Sequence, residues 1–413
     1  GIRDRSPSRG LGDVYKRQSL MVVPLIGYVA KDSPIQHPFA CGFKVSSYGP
    51  QQNVDPYDTD CGNGKQTNGS YITGNNPADT SIVVGPDFVK AWVTHLVQRY
   101  GRADAGGLRF YNLDNEPGLW PETHRDVYPQ HVTYTALRDR GIAYAGAVKD
   151  ADPSAQVLGP VQDGWTRYFY ASYQSYPDTI AQAERDSYAG TPFVEWYLRE
   201  MKAAEQQQGR RLLDYLDLHY YPQASGVALS PAGNDAQQAL RLRSTRSLWD
   251  ASYVDESWIA GTESGNTAVK LIPRMRAWVS QYYPATKLAV GEYNWGALDH
   301  INGALAQADV LGIFGREGLD LATLWEPPTL QQPGAFAFRM YRNYDGQGKA
   351  FGETSVRAQS SNQEQLSIYA ARRVDGALTL MIINKTKGTL LSLIHISEPT
   401  RRTPISYAVF CLK

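Results

Sequence analysis

Two glutamates occupy short motifs whose neighbours suit acid–base work on a sugar. Glu116 lies in Phe-Tyr-Asn-Leu-Asp-Asn-Glu-Pro (110–117), where an apolar run gives way to a loop. Glu292 lies in Gly-Glu-Tyr-Asn-Trp (291–295), at the end of a second apolar run. Breaking a glycosidic bond takes an acid that protonates the leaving oxygen and a second carboxylate that meets the oxocarbenium-like centre. A retaining reaction predicts carboxyl groups about 5–5.5 Å apart, whereas a separation near 9 Å predicts inversion. Asn115 stands beside the first carboxylate, where its amide could bond the sugar 2-hydroxyl. Each motif alone is weak: Asn-Glu-Pro also arises by chance, and Glu292 could belong to a surface loop. A charge directly after Leu288-Ala289-Val290 is costly inside a core, however, which favours a strand end facing a polar site.

The elements that must carry these residues alternate in character. Short apolar runs occur at 21–29, 108–114, 155–161, 212–221, 286–295 and 319–325. Helical spacing separates them, with Phe88, Val89, Trp92, Leu96 and Val97 on one face and similar patterns over 134–148 and 304–314. Near-continuous apolar strands between helices predict an α/β fold with a parallel sheet. Polar and aromatic residues at the C-terminal strand ends point to a TIM-type (β/α)8 barrel of which six strands are present. A helical stretch over 336–344 follows the last run. Beyond it, residues 365–373 and 377–385 alternate and are joined through Asp375-Gly376, which predicts an antiparallel hairpin. The expected organisation is a partial barrel over 19–347 and part of a β-sandwich over 348–390. Two further segments, 1–18 and 391–413, flank these domains.

On this count Glu116 stands three strands before Glu292. The run between them ends in His219-Tyr220-Tyr221-Pro222. Tyr221 is expected to hold the nucleophile through its hydroxyl, and His219 to contact sugar. Trp325 closes the last run and suits the floor of the subsite for the attacked sugar. Taken singly, His219 and Trp325 would more often be packed side chains.

Composition narrows the partners. Tyr (27) and Trp (9) together outnumber Phe (11), and their flat apolar faces with polar handles suit sugar rings as well as cores. Basic and acidic residues balance at 41 each, and without the two flanking segments 33 basic face 38 acidic. Nothing in that balance favours nucleic acid or an anionic membrane. No apolar run approaches the ~20 residues of a membrane span. The flanking segments lack strand or helix periodicity and resemble translated library-adapter sequence, so they are left out of the fold expectation. One long polar loop runs from His37 to Thr80. Its Asp55, Asp58 and Asp60 could hold a structural calcium ion or simply be solvated. Cys41 and Cys61 share this loop, and are compatible with a disulfide or with two free thiols.

The segments PLIGYVAKD, YGPQQNVDPYDTDCGNG, LDNEPGLWPETHRDVYP, VLGPVQDGWTRYFY, LDLHYYPQ and VGEYNWG resemble glycoside hydrolase family 44, the endoglucanase and xyloglucanase family, over residues 21–385. The resemblance implies a (β/α)8 barrel carrying a β-sandwich, and endo-hydrolysis of β-1,4-glucan with retention of configuration. It matches Glu116 to the acid/base and Glu292 to the nucleophile, on strands four and seven. It also places Trp120 and Trp165 at the cleft. Against that pattern, the first two barrel strands, the first sandwich strand and most of the C-terminal sandwich are absent, so loss of activity through truncation is a third expectation. The expected protein is a secreted monomer that needs no cofactor. Secretion follows from a polymeric substrate, since no apolar leader with a small-residue cleavage site follows the basic start. Rival readings are a barrel hydrolase of mannan or xylan, and a non-catalytic carbohydrate-binding protein.

Overall fold

In the computed structural model the described residues are 19–31, 41–174, 178–263, 268–390 and 407–412. The segments 1–18 and 391–406, and positions 37–40 of the long loop, lie outside them. The chain divides into two compact units, Gly1–His219 with Trp278–Lys287, and Tyr220–Ala277 with Leu288–Lys413. The fold is mixed α/β, with parallel strands interleaved with helices and a separate antiparallel sheet.

The first unit contains β1 (Leu20–Val23), β2 (Tyr28–Ala30), β3 (Ser81–Val83), β4 (Phe110–Leu113), β5 (Gln156–Gln162) and β6 (Tyr215–Leu218). Strands β1, β4, β5 and β6 lie side by side in that order, all parallel. The single strand expected over 21–29 is two: β1 stops before Pro24, and β2 pairs antiparallel with β3. Proline offers no N–H to a ladder, and Gly27 turns the chain at φ 87°. Helices Pro86–Tyr100, Tyr134–Ala151 and Phe193–Gln208 lie between successive parallel strands. The first opens on Pro86, whose missing N–H would be unpaired there anyway, and ends at Gly101 with φ 86°. It buries Val89, Val93 and Leu96, whereas Phe88 is exposed. The spacing had put Phe88 on the inner face, but as a first-turn residue it looks outward. Thr133 caps the second helix by accepting from the Ala136 N–H.

The second unit contains β7 (Lys287–Tyr293, from Leu288) and β8 (Leu321–Leu324), which are parallel, with helix Ile301–Glu317 between them. Helix Pro333–Arg342 follows, as its apolar spacing predicts. Then β9 (Thr354–Val356), β10 (Leu366–Arg372) and β11 (Leu378–Asn384) form the antiparallel sheet. The β10–β11 hairpin turns at Gly376, φ 84°, a left-handed position that glycine takes without strain. Strand β12 (Tyr407–Leu412), inside the segment set aside on sequence, runs parallel to β11. The antiparallel sheet meets helix 301–317 through a buried network. Lys385 Nζ lies 2.6 Å from Asp309 Oδ2, and the Tyr369 hydroxyl donates to Asp309 Oδ1 at 2.7 Å. Among the described residues no helix is long and apolar enough to cross a membrane.

Candidate active site

Glu116 leaves the C-terminal end of β4 on a turn made of unusual backbone. Asp114 and Glu116 both have positive φ, 70° and 51°, as does Val161 (58°) near the end of β5. Non-glycine residues occupy this region at a cost, and such positions persist only when their surroundings hold them. Here the Glu116 N–H donates to the Val161 carbonyl at 3.0 Å. The carboxyl of Glu116 is half-buried, and its Oε1 lies 2.9 Å from His219 Nδ1. His219 itself is 1% exposed. Sequence reasoning gave this histidine to the sugar; its ring is instead enclosed and engaged with Glu116. Asn115 is exposed beside it, with its N–H on Asp114 Oδ1 at 2.8 Å.

Two further carboxyls frame this turn. Asp114 accepts from the Leu25 N–H (2.5 Å) and from Trp120 Nε1 (3.4 Å), tying β1 to the loop after Glu116. Burial pushes its carboxyl up, against the opposing pull of those N–H donors. Asp163 follows β5 and pairs with Arg167 at 2.8 Å. Burial also pushes Asp163 up; Arg167 draws it back, and the charge of Glu116 raises it again.

Glu292 sits at the end of β7 in the second unit. Its Oε2 accepts the Tyr221 hydroxyl at 2.8 Å, and its carbonyl accepts the Tyr220 N–H at 2.9 Å. This is the tyrosine expected on sequence to hold the nucleophile. The strand end is stiffened from below: buried Asn294 donates to the Trp325 carbonyl (2.7 Å) and accepts from the Gly296 N–H (2.6 Å). Gly296 is required there, because φ is 75° and a Cβ would meet the Val227 carbonyl oxygen at 2.3 Å. Trp325 follows β8 and is 49% exposed. Exposed Trp258 donates to Gln223 Oε1 (3.3 Å), and Gln223 donates to the Tyr221 carbonyl (2.9 Å).

The sequence model described as glycoside hydrolase family 44 matches residues 10–224. The chain belongs to that family. It is 38% identical over 308 residues to Endoglucanase A of Paenibacillus lautus, covering 73% of this chain and 43% of that protein. Among solved structures, a bifunctional glucanase-xylanase from a metagenome library is 42% identical with a TM-score of 0.84, covering 93% of this chain and 75% of the other. A family 44 xyloglucanase from Paenibacillus polymyxa is 31% identical with a TM-score of 0.72, covering 92% and 71%. The chain thus spans less than half the length of the Paenibacillus lautus relative.

Within the family 44 chain, two expected cleft residues are corrected. Trp120 (1% exposed) and Trp165 (2%) are buried. Trp120 packs 5.0 Å from the Tyr128 ring with its indole N–H turned to Asp114; Trp165 opens helix Trp165–Phe169 and packs on Tyr168 and Phe169. Large apolar area beside a polar strand end is buried here as support for the loop, not presented to solvent. The residues that sequence reasoning missed are Asp114, Gln162 and Trp258. The first two adjoin strand ends that were identified, and a polar residue directly after an apolar run was the available signal. Trp258 lies in a connecting segment with no such mark.

In the long loop, Cys41 and Cys61 form a disulfide. Asp55 Oδ1 accepts from the N–H groups of Tyr57 and Asp58, Asp58 Oδ1 from that of Asp60, and Asp60 from the N–H and hydroxyl of Ser46. Those bonds to Ser46 hold the Asp60 carboxyl below its ordinary range. Asp55 and Asp58 therefore close turns of their own loop, and Asp60 ties the loop back to Ser46.

Proposed function

We propose that this chain is a retaining endo-β-1,4-glucanase acting on glucan or xyloglucan backbones. Glu116 protonates the leaving oxygen while a Glu292 carboxylate oxygen attacks the anomeric carbon. Glu116 then takes a proton from the water that releases the glycosyl-enzyme. The observation that carries this reading is the difference between the two carboxyls. Glu292 Oε2 accepts the hydroxyl of Tyr221, which fixes one carboxyl oxygen, whereas Glu116 Oε1 lies 2.9 Å from the buried His219 ring. Trp325 supports the reading as an exposed platform for a sugar ring, and Asn115 as a donor to the 2-hydroxyl.

The six parallel strands are read as strands three to eight of a (β/α)8 barrel, and the antiparallel sheet as part of a β-sandwich. The disulfide supports secretion, because such bonds persist in oxidising compartments. The working partner is a soluble or polymeric β-glucan met by a monomer, without nucleic acid or a membrane. Both reactive groups come from the protein, so the proposed reaction requires no cofactor. A calcium ion on Asp55, Asp58 and Asp60 would act on loop stability alone, and chelation by EDTA that lowers Tm would identify it.

Xylan is a second backbone to test, since the metagenomic relative is named a glucanase-xylanase. Product analysis on defined xylo-, manno- and gluco-oligosaccharides separates the backbones, and NMR of the first anomer formed tests retention. Substituting Glu292→Ala should abolish hydrolysis; unchanged turnover would remove the nucleophile assignment. Sugar binding by a wild-type protein that never turns over would favour a pure binding role.

A further inference from the structure

We infer that Gln162 is a positioning residue for Glu116, acting on it along two routes. The inference deepens the proposed function and rests on Glu116 being its acid/base. Gln162 is the last residue of β5 and is fully buried. Its side-chain Oε1 accepts the N–H of Gly118 at 3.2 Å, two residues beyond Glu116. Its Nε2 donates to the Ala171 carbonyl at 2.9 Å. Its own main-chain carbonyl accepts the His219 N–H at 2.9 Å, and the His219 ring in turn meets the Glu116 carboxyl. One residue therefore grips both the loop that carries the Glu116 backbone and the ring that holds its side chain.

The surroundings leave that grip little slack. A Cβ on Gly118 would lie 2.7 Å from the Ala171 carbonyl oxygen and 2.5 Å from Arg167 Cδ. The Gly118 carbonyl accepts the Ser172 hydroxyl at 2.9 Å. Because an amide presents an acceptor on one side and donors on the other, only one orientation satisfies both Gly118 and Ala171. Burying a polar side chain costs free energy unless it is bonded, so a purely space-filling role here would be met as well by leucine. What an amide adds is a fixed loop height beneath a glutamate whose backbone has a positive φ.

The test uses the full chain and aryl β-cellobiosides whose leaving groups span a wide acidity range. A displaced acid/base slows substrates that need a proton and spares those that do not. Gln162→Leu is expected to lower kcat/KM at least about tenfold on poor leaving groups and within about twofold on 2,4-dinitrophenyl cellobioside, parallel to Glu116→Gln but smaller. Gln162→Met keeps the side-chain length and loses both hydrogen bonds, so it should show the same leaving-group dependence; it carries the test where the leucine variant does not fold. An equal loss across the whole series, with a lowered Tm, would reduce Gln162 to a structural residue and overturn the inference. If Glu116→Gln itself shows no leaving-group dependence, the acid/base assignment falls first and the inference falls with it.

Discussion

The Tyr221 hydroxyl donates to Glu292 Oε2 at 2.8 Å, joining the loop after β6 to the end of β7. A hydrogen bond to a charged group contributes about 1.5–3 kcal/mol. In the proposed reaction it would hold one carboxyl oxygen of Glu292 while the other attacks. Tyr221→Phe is therefore expected to lower kcat about ten- to hundredfold with little change in KM. Steady-state kinetics on a soluble glucan check this, and an unchanged kcat would separate the tyrosine from the reaction.

The two classes of tryptophan should separate cleanly. Trp325 is half exposed, and an aromatic contact with a ring is worth about 0.5–1.5 kcal/mol. Trp325→Ala should raise KM roughly two- to tenfold and leave Tm near the wild-type value. Buried Trp120→Ala should cost about 3–5 kcal/mol of stability and lower Tm. Thermal melts run beside kinetics decide both, and a reversed pattern would contradict the burial of Trp120.

Acid stability should depend on the buried network around Asp309. Burial pushes this carboxyl up, but Lys385, Ser367 and Thr245 outweigh burial and hold it below its ordinary range. A carboxyl depressed in the folded state contributes stability above the unfolded value, lost as pH falls through the folded one. Lys385→Met leaves Asp309 buried without its cation and should cost about 3–5 kcal/mol at neutral pH. The loss should shrink as the medium becomes acidic enough to protonate Asp309. Melting curves from neutral pH downward measure it, and a pH-independent loss would point to packing instead.

The Cys41–Cys61 bond closes a loop with a sequence separation of 20. Constraining a loop of that size contributes about 3 kcal/mol in the chain-entropy account. Reduction, or replacement of both cysteines by serine, should lower Tm and speed proteolysis within 41–80. An unchanged melt with an intact loop would show that the hydrogen bonds of Gln51 and Arg125 to Phe43, Gly64 and Ile72 suffice.

Local information was enough for most of the parallel strands, for several helices, for the hairpin and for the strand ends that carry the two glutamates, but not for the break at Pro24 or for β3, β9 and β12. Each is written in contiguous residues: an apolar run such as 286–295, a glycine at a turn, a carboxylate where apolar character stops. Tyr221 was legible for the same reason, since its place in a strand-end motif aims it at the next strand. Other features depend on residues far apart in the chain. Whether Trp120 faces sugar or Tyr128 depends on Asp114 taking its indole N–H, and whether His219 meets substrate or Glu116 depends on how β4 and β6 are spaced by β5. Which of the two readings holds for Cys41 and Cys61, and which groups Gln162 bonds, likewise depends on how segments meet in space. The sequence alone determined which residues could do chemistry and on which strand ends they stand. Only the tertiary structure decided which side chains were left open and which were spent as supports, because burial and hydrogen-bond pairing are properties of neighbours in space.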